Sequence, residues 1–299
     1  MHASVYSGPA PAHDAQRPQR PDPRGVQVHR PAPKRDVPYV PTEEPVVEAI
    51  LDFAGVGPDD TLMDLGCGDG RIPIGAARRG ARGVGVDIDR LRVRESHWNA
   101  SRAGGEVAGR VRFVCGSLFD VSLRDATVVT LYLLPSINRL LRPKLMWELK
   151  PGSRVVSNFF DMGNWKPDDV LEIHRRVLYR WTIPAWVEGD WDCVVNTPGG
   201  PTHMVLRLKR TYQALRGTAR IGWQEVPLIN PGLDGARLGF TVPGRGGGTR
   251  AMHFDGVLGE PYLRGTCHDD NGEPGGAWGG VRRTAPRADR GAVAAPARA

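Results

Sequence analysis

Cysteine is scarce in this chain: four occur in 299 residues, at positions 67, 115, 193 and 267. Their scatter excludes a disulfide framework and a metal-ligand cluster, and it fits a reducing cytoplasm. Long apolar runs are missing too. None approaches the roughly 20 residues of a transmembrane helix, and the N-terminus lacks the apolar core of a secretory signal. The reading is a cytoplasmic chain with no transmembrane segment and no metal. An Arg-rich, acid-poor leader would also suit an organelle, but its prolines oppose the amphipathic helix that import signals use. Large apolar side chains are nearly absent from residues 1–36 and 284–299, where Pro and Arg are frequent. Such segments cannot offset their ordering entropy and read as disordered tails. A strong excess of one charge is lacking as well: 40 Lys and Arg stand against 33 Asp and Glu, and many of the arginines lie in the tails. The formal charge of +7 therefore outlines no binding face, and no nucleic-acid partner is expected.

What is present is length for at least one full core, and a repeating grammar. In "VPYVPTEEPVVEAILDFAG", Thr42 can cap a helix whose apolar face is Val46, Val47, Ile50, Leu51 and Ala54, closed by Gly55. "TLMDL", "RGVGVD", "RVRFVCG", "ATVVTLYLLP" and "GSRVVSNFF" read as strands. "IPIGAARRG", "DRLRVRESHWNASRAG" and "SINRLLRPKLMWELK" read as helices between them. The strand runs are continuously apolar, as in strands covered on both faces, so the spacing predicts a doubly wound α/β sheet over about 37–184. "VLEIH" and "RVLYRWTIPA" have no helix between them and predict a closing antiparallel hairpin.

From about 185 to 283 only short strand-like pieces occur between Gly, Pro, Asn and Asp turns, which predicts an all-β barrel or sandwich. The tryptophans at 165, 181, 186, 191, 223 and 278 are expected to be core. "LRGT" occurs at 215–218 and again at 263–266, read as shared strand-end chemistry. "HDDNGE" at 268–273 has calcium-loop oxygens without EF-hand spacing and reads as a solvated turn.

The chemistry lies in "LMDLGCGDGRI". A dinucleotide fold places Gly-x-Gly-x-x-Gly here for a pyrophosphate, but Gly66, Gly68 and Gly70 bring the last glycine one residue early, with Arg71 in its place. Asp64 ends the strand just ahead, where a carboxylate repels phosphate and attracts an ammonium group. The ligand implied is a cation without phosphate, and S-adenosylmethionine is one. Asp87, ending the next strand in "GVGVDID", can accept from both ribose hydroxyls. Cys67 reads as a small loop filler, since nothing nearby offers it a base.

With "DLGCGDG" and "GVDID" in place, residues 39–167 resemble a class I, seven-strand S-adenosylmethionine-dependent methyltransferase. "YVPT", "DLGCGDGRI", "TLYLLP" and "PGSRVVSNFF" followed by "GNW" are similar to the small lysine N-methyltransferases of mitochondrial carrier and ATP-synthase subunits and their bacterial relatives. The resemblance implies S-adenosyl-L-methionine as cofactor. It assigns Asp64, Gly66, Gly68 and Gly70, with Cys67, to the methionyl end, and Asp87, with Ile88, to the ribose. Tyr39 and Thr42 would close over the ligand. Relatives read Gly-Asp-Leu-Phe after the third strand; this chain has Ser117 before Leu118, so a weaker hydroxyl stands where the adenine amino group expects a carboxylate.

Methyl transfer needs alignment and exclusion of water more than a base. The acceptor site is expected at the end of the fourth strand, where Leu133, Leu134 and Pro135 would form an apolar wall disfavouring a charged amine and Tyr132 could orient it. The partner implied is a protein with a target lysine. The alternatives are a small-molecule or lipid acceptor held in the β module, or a cofactor-fold protein that binds without catalysis.

Overall fold

The computed structural model describes residues 40–197, 199–244 and 250–283. Both tails and Tyr39 lie outside them. The first half runs α1 (Glu44–Phe53), β1 (Thr61–Leu65), α2 (Arg71–Arg78), β2 (Arg82–Asp87), α3 (Arg90–Arg102), α4 (Gly105–Arg110), β3 (Val111–Cys115), β4 (Val128–Leu131), α5 (Pro135–Glu148), β5 (Arg154–Asn158), β6 (Asp169–Ile173) and β7 (Arg176–Thr182). These strands order as β3-β2-β1-β4-β5-β7-β6, parallel except where β7 enters between β5 and β6 as the predicted hairpin. Apolar cover on both faces explains the continuous runs. Val46, Val47, Ile50 and Leu51 of α1 pack with Leu62, Val128, Val156 and Leu178 on one face. Leu141 and Leu145 of α5 pack with Met63, Leu65, Val129, Leu131 and Val155 on the other. Short α4 was not legible in the sequence. Thr42 is not the cap of α1: Glu43 holds that position without a side-chain bond, and Pro45 starts the helix by fixing φ. Thr42 is instead buried, held over the glycine loop by its carbonyl.

The second half is antiparallel: β8 (Gly189–Thr197), β9 (Gly200–Thr211), β10 (Ala214–Ile221), β11 (Gln224–Pro227), β12 (Ile229–Asp234), β13 (Arg237–Val242), β14 (Met252–Gly259), β15 (Tyr262–Asp269) and β16 (Pro274–Arg282). Their order is β11-β10-β9-β8-β16-β15-β14-β13-β12. Leu228 alone separates the two ends of that order, and its N–H donates to the Gly217 carbonyl at 2.9 Å. β11 and β12 thus form one bent strand, pairing first with β10 and then with β13, which closes the sheet as an up-and-down barrel. Strand alternation sends Trp191, Leu206, Phe240, Phe254, Leu263 and Trp278 inward, where they fill the interior. The shared "LRGT" is not strand-end chemistry: each glycine is the fourth residue of an eight-residue strand, where a neighbouring carbonyl leaves no room for a side chain. A Cβ would lie 2.3 Å from Arg207 O at Gly217 and 1.8 Å from Asp255 O at Gly265. Of the six tryptophans, Trp165, Trp181, Trp191 and Trp278 are buried, Trp186 is half-buried, and Trp223 is fully exposed on the β10–β11 turn. "HDDNGE" makes a turn in which the Asp269 carboxylate accepts from the N–H groups of Asn271 and Glu273.

The barrel meets the sheet at the loop after β5. Tyr212, in the β9–β10 turn, stacks on Trp165 with ring centroids 5.5 Å apart. Trp165 Nε1 donates to Gln213 Oε1 at 2.8 Å, and Gln213 Nε2 donates to Lys166 O and Asp168 Oδ1.

Candidate functional site

A cavity of about 110 Å³ opens at the carboxyl ends of β1, β2 and β4. The glycine loop forms its floor. Gly66 N and Cys67 N donate to Val86 O at 2.8 and 3.0 Å, pinning the loop to the end of β2. Gly66 takes φ +87°, and a Cβ there would come within 3.0 Å of the Leu133 side chain, so a larger residue would crowd the cavity mouth. Asp87 ties the two loops together, accepting from Gly68 N and Asp89 N at 2.9 Å each. Asp89, in turn, caps α3 by accepting from Leu91 N.

Asp64 is 4 % exposed, and Thr130 Oγ1 donates to its Oδ1 at 2.7 Å. Burial pushes its pKa up from 3.8 to about 7, the Thr130 bond opposes this, and the charges of Asp87 and Asp69 add to it. Its carboxylate is therefore short of positive charge. Asp69 is paired with Arg71 at 2.5 Å, and Arg71 Nη1 also donates to the Thr42 carbonyl, drawing the segment before α1 over the loop. Burial raises the Cys67 thiol far above the thiolate range, in keeping with a filler.

Of the residues singled out in the sequence, Thr42, Asp64, Gly66, Cys67, Asp87, Ile88, Ser117, Leu118, Tyr132 and Leu133 line this cavity. Gly68 and Gly70 do not. At Gly70 (φ +81°) a Cβ would sit 2.6 Å from Ser96 and 2.7 Å from the Phe113 ring, so this glycine serves the turn and its packing. Leu134 is 37 % exposed and Pro135 opens α5, and both stay off the lining, leaving Leu133 as the part of the expected wall that reaches it. Ser117 Oγ accepts from Phe119 N at 3.2 Å. Sequence reasoning missed Asp69 and Arg71, although "GDGR" carries them directly behind the loop. It also missed Arg176, whose Nη1 donates to the Tyr132 hydroxyl at 2.8 Å and whose guanidinium lies over the Tyr132 and Phe159 rings. No signal in the sequence joins two residues so far apart.

An under-neutralised carboxylate at one end, a second carboxylate bridging two loops and a glycine floor fit a cationic nucleoside. Asp64 would hold the methionyl ammonium of S-adenosylmethionine, and Asp87 the ribose. When bound, that molecule supplies an electrophilic methyl group on a sulfonium.

Comparison with known proteins agrees with this chemistry. A family profile described as the ANTKMT methyltransferase domain matches residues 64–169, ending before the barrel. A protein-lysine N-methyltransferase of Saccharolobus islandicus is 48 % identical over 156 residues, which are 52 % of this chain and 95 % of that protein. The adenine nucleotide translocase lysine N-methyltransferase of Mus musculus is 38 % identical over 136 residues, 45 % of this chain and 58 % of that one. A solved structure described as an RNA methyltransferase from Salinibacter ruber with S-adenosyl-L-homocysteine is 52 % identical. It covers 50 % of this chain and 96 % of that one, with a TM-score of 0.48. Matching nearly the whole archaeal enzyme at 48 % identity, this chain belongs to the class I S-adenosylmethionine-dependent methyltransferases and is an enzyme with S-adenosyl-L-methionine as its cofactor.

Proposed function

We propose that the enzyme methylates the ε-amine of a lysine in a protein substrate. The observation that carries this is the group at the cavity mouth: Tyr132, with Leu133 beside it, is held by the Arg176 guanidinium and faces Phe160 at 6.4 Å between centroids. Apolar walls and a neighbouring positive charge both disfavour an ammonium ion and so favour the neutral, nucleophilic amine. The amine lone pair forms the N–C bond as the C–S bond breaks, the electron pair passes to sulfur, and the new ammonium releases its proton to water. Tyr132 orients the acceptor in this reading, and Thr42, Asp64, Gly66, Asp87, Ile88, Ser117 and Leu118 hold the cofactor.

The lysine specificity in the names of the archaeal and mouse relatives supports the same acceptor. The filled barrel interior speaks against a small-molecule or lipid acceptor held there. We assign the barrel to supporting the loop after β5 and to meeting the protein substrate. A reducing cytoplasm suits the four unpaired cysteines. No helix among the described residues is long and apolar enough to cross a membrane.

The test is transfer of radiolabelled methyl from S-adenosylmethionine into cell extract, followed by acid hydrolysis and chromatography. Label co-migrating with methylated lysine, and sensitive to protease, is the expected result. Label sensitive only to ribonuclease, or found only in small metabolites, would replace this reading.

A further inference from the structure

Asn158, the last residue of β5, is 1 % exposed, and neither its Oδ1 nor its Nδ2 has a hydrogen-bond partner. Among the described residues no other side chain leaves two buried polar atoms unpaired. The surroundings are not short of partners. Asn138 Nδ2 donates to Ser157 Oγ and Phe160 O at 3.1 Å each, and Ser157 Oγ donates to Phe160 O at 2.6 Å, which ties the neighbouring turn and leaves Asn138 Oδ1 as one further unpaired acceptor. A buried amide left open on both sides costs stability, and a fold retains that cost where a ligand offsets it.

Strand geometry says where this amide points. Ser157 pairs with Leu131, which puts Asn158 beside Tyr132. Val156, two residues back, packs on the α1 face, and so does Leu178, the residue directly opposite Asn158. Thr130, two residues before Tyr132, reaches Asp64 in the cavity wall on that same face. Asn158 therefore projects from the same face of the sheet as Asp64 and Thr130 and lies next in register to Tyr132, directly behind the residues that line the cavity.

We propose that Asn158 is a catalytic residue that binds the acceptor amine, its Oδ1 accepting an N–H and so aiming the nitrogen lone pair toward the cofactor cavity. This rests on the amine-acceptor reading above. A carboxamide suits the task because, unlike a carboxylate, it accepts a hydrogen bond without holding the amine in its charged form. The Tyr132 hydroxyl, already accepting from Arg176, lies on the other side of the same acceptor.

The test is Asn158→Leu, which removes the polar atoms at nearly constant volume. A group kept for the reaction predicts that the variant melts at or above the wild-type temperature, by about 2–4 °C. It also predicts an unchanged Kd for S-adenosylhomocysteine and transfer to poly-L-lysine slowed about tenfold or more. A lower Tm with weaker S-adenosylhomocysteine binding, or an undiminished rate, overturns the assignment. A second measurement does not depend on lysine turnover: the Asn158 side-chain ¹⁵N signal, identified by its loss in the Leu variant, is followed while n-butylamine is added to the S-adenosylhomocysteine complex near pH 10, about where an alkylamine is half neutral. A saturating shift supports amine contact, and no shift overturns it. Should the wild type leave poly-L-lysine and extract lysines unmethylated while butylamine still moves the signal, the lysine reading fails and the amine contact stands.

Discussion

The two sheets bury different kinds of side chain. Ten of the eleven buried polar residues, among them Asp64, Asp69, Thr130, Asn138, Ser157 and Asn158, belong to the seven-strand half, and Arg282 is the barrel's one contribution among the described residues. Even Arg282 is satisfied by the carbonyls of Trp186 and Glu188. The barrel core is otherwise apolar, aromatic and aliphatic side chains with Cys193, Met204 and Cys267 among them. Burying polar groups costs free energy, so their concentration at the carboxyl ends of one sheet marks where ligands bind, while the barrel is built for stability and shape.

That contrast is exposed to test. The largest effect expected is on stability, from Trp278→Ala. Its ring packs edge-on against the stacked pair Phe240 and Phe254 and over Gly256, and its removal should cost about 3–5 kcal/mol in denaturant melts. Calorimetric S-adenosylmethionine affinity of the folded variant should not change. An affinity that fell in step with stability would break the division of labour.

Asp64→Asn should do the reverse. Loss of the charge facing the ligand ammonium is expected to weaken binding by about 100-fold, near 3 kcal/mol. The ligand-free variant should melt above the wild type at pH 8, because a buried and destabilised charge is gone. A lower Tm would mean that Asp64 is structural.

Titrating the wild type sharpens this further. Ionised Asp64 is the form that attracts the ligand, so with its pKa near 7 the affinity should fall as pH drops below 7, by up to about tenfold per unit, and be level above it. Stability of the free protein runs the other way. The folded state holds a proton that the unfolded state releases between 3.8 and about 7, so this group's penalty grows as pH rises through that window and is complete above it. Calorimetry from pH 5 to 8 checks the first trend and melts without ligand check the second. The smallest effect belongs to the seam between the halves. Gln213→Ala, which frees the loop after β5, should lower turnover about three- to tenfold, with a loss of about 1 kcal/mol in stability and no change in cofactor Kd.

Much of the seven-strand half could be read in advance, because strands covered on both faces are continuously apolar and the helices between them are periodic. The loop acid Asp64 and the ribose acid Asp87 were legible for a related reason, since each ends its own strand and its role follows from that place. The barrel was harder. Its strands are set among Gly, Pro, Asn and Asp turns that blur their limits, and nothing local announces that Leu228 closes the sheet by handing one strand from β10 to β13. Thr42 looked like a cap because a hydroxyl before an acidic turn is the local signal for one, whereas Arg71 claims its carbonyl from across the loop.

The order of residues along the chain determined the parallel sheet, its closing hairpin and a glycine loop guarded by acids, since periodicity and strand ends are local properties. Tertiary structure alone decided that Arg176 holds Tyr132, that the barrel's Tyr212 turn clasps the loop after β5, and that Asn158 is left without a partner. Each of these depends on what packing brings near, and on what it fails to bring near, across distances along the chain over which sequence carries no pattern.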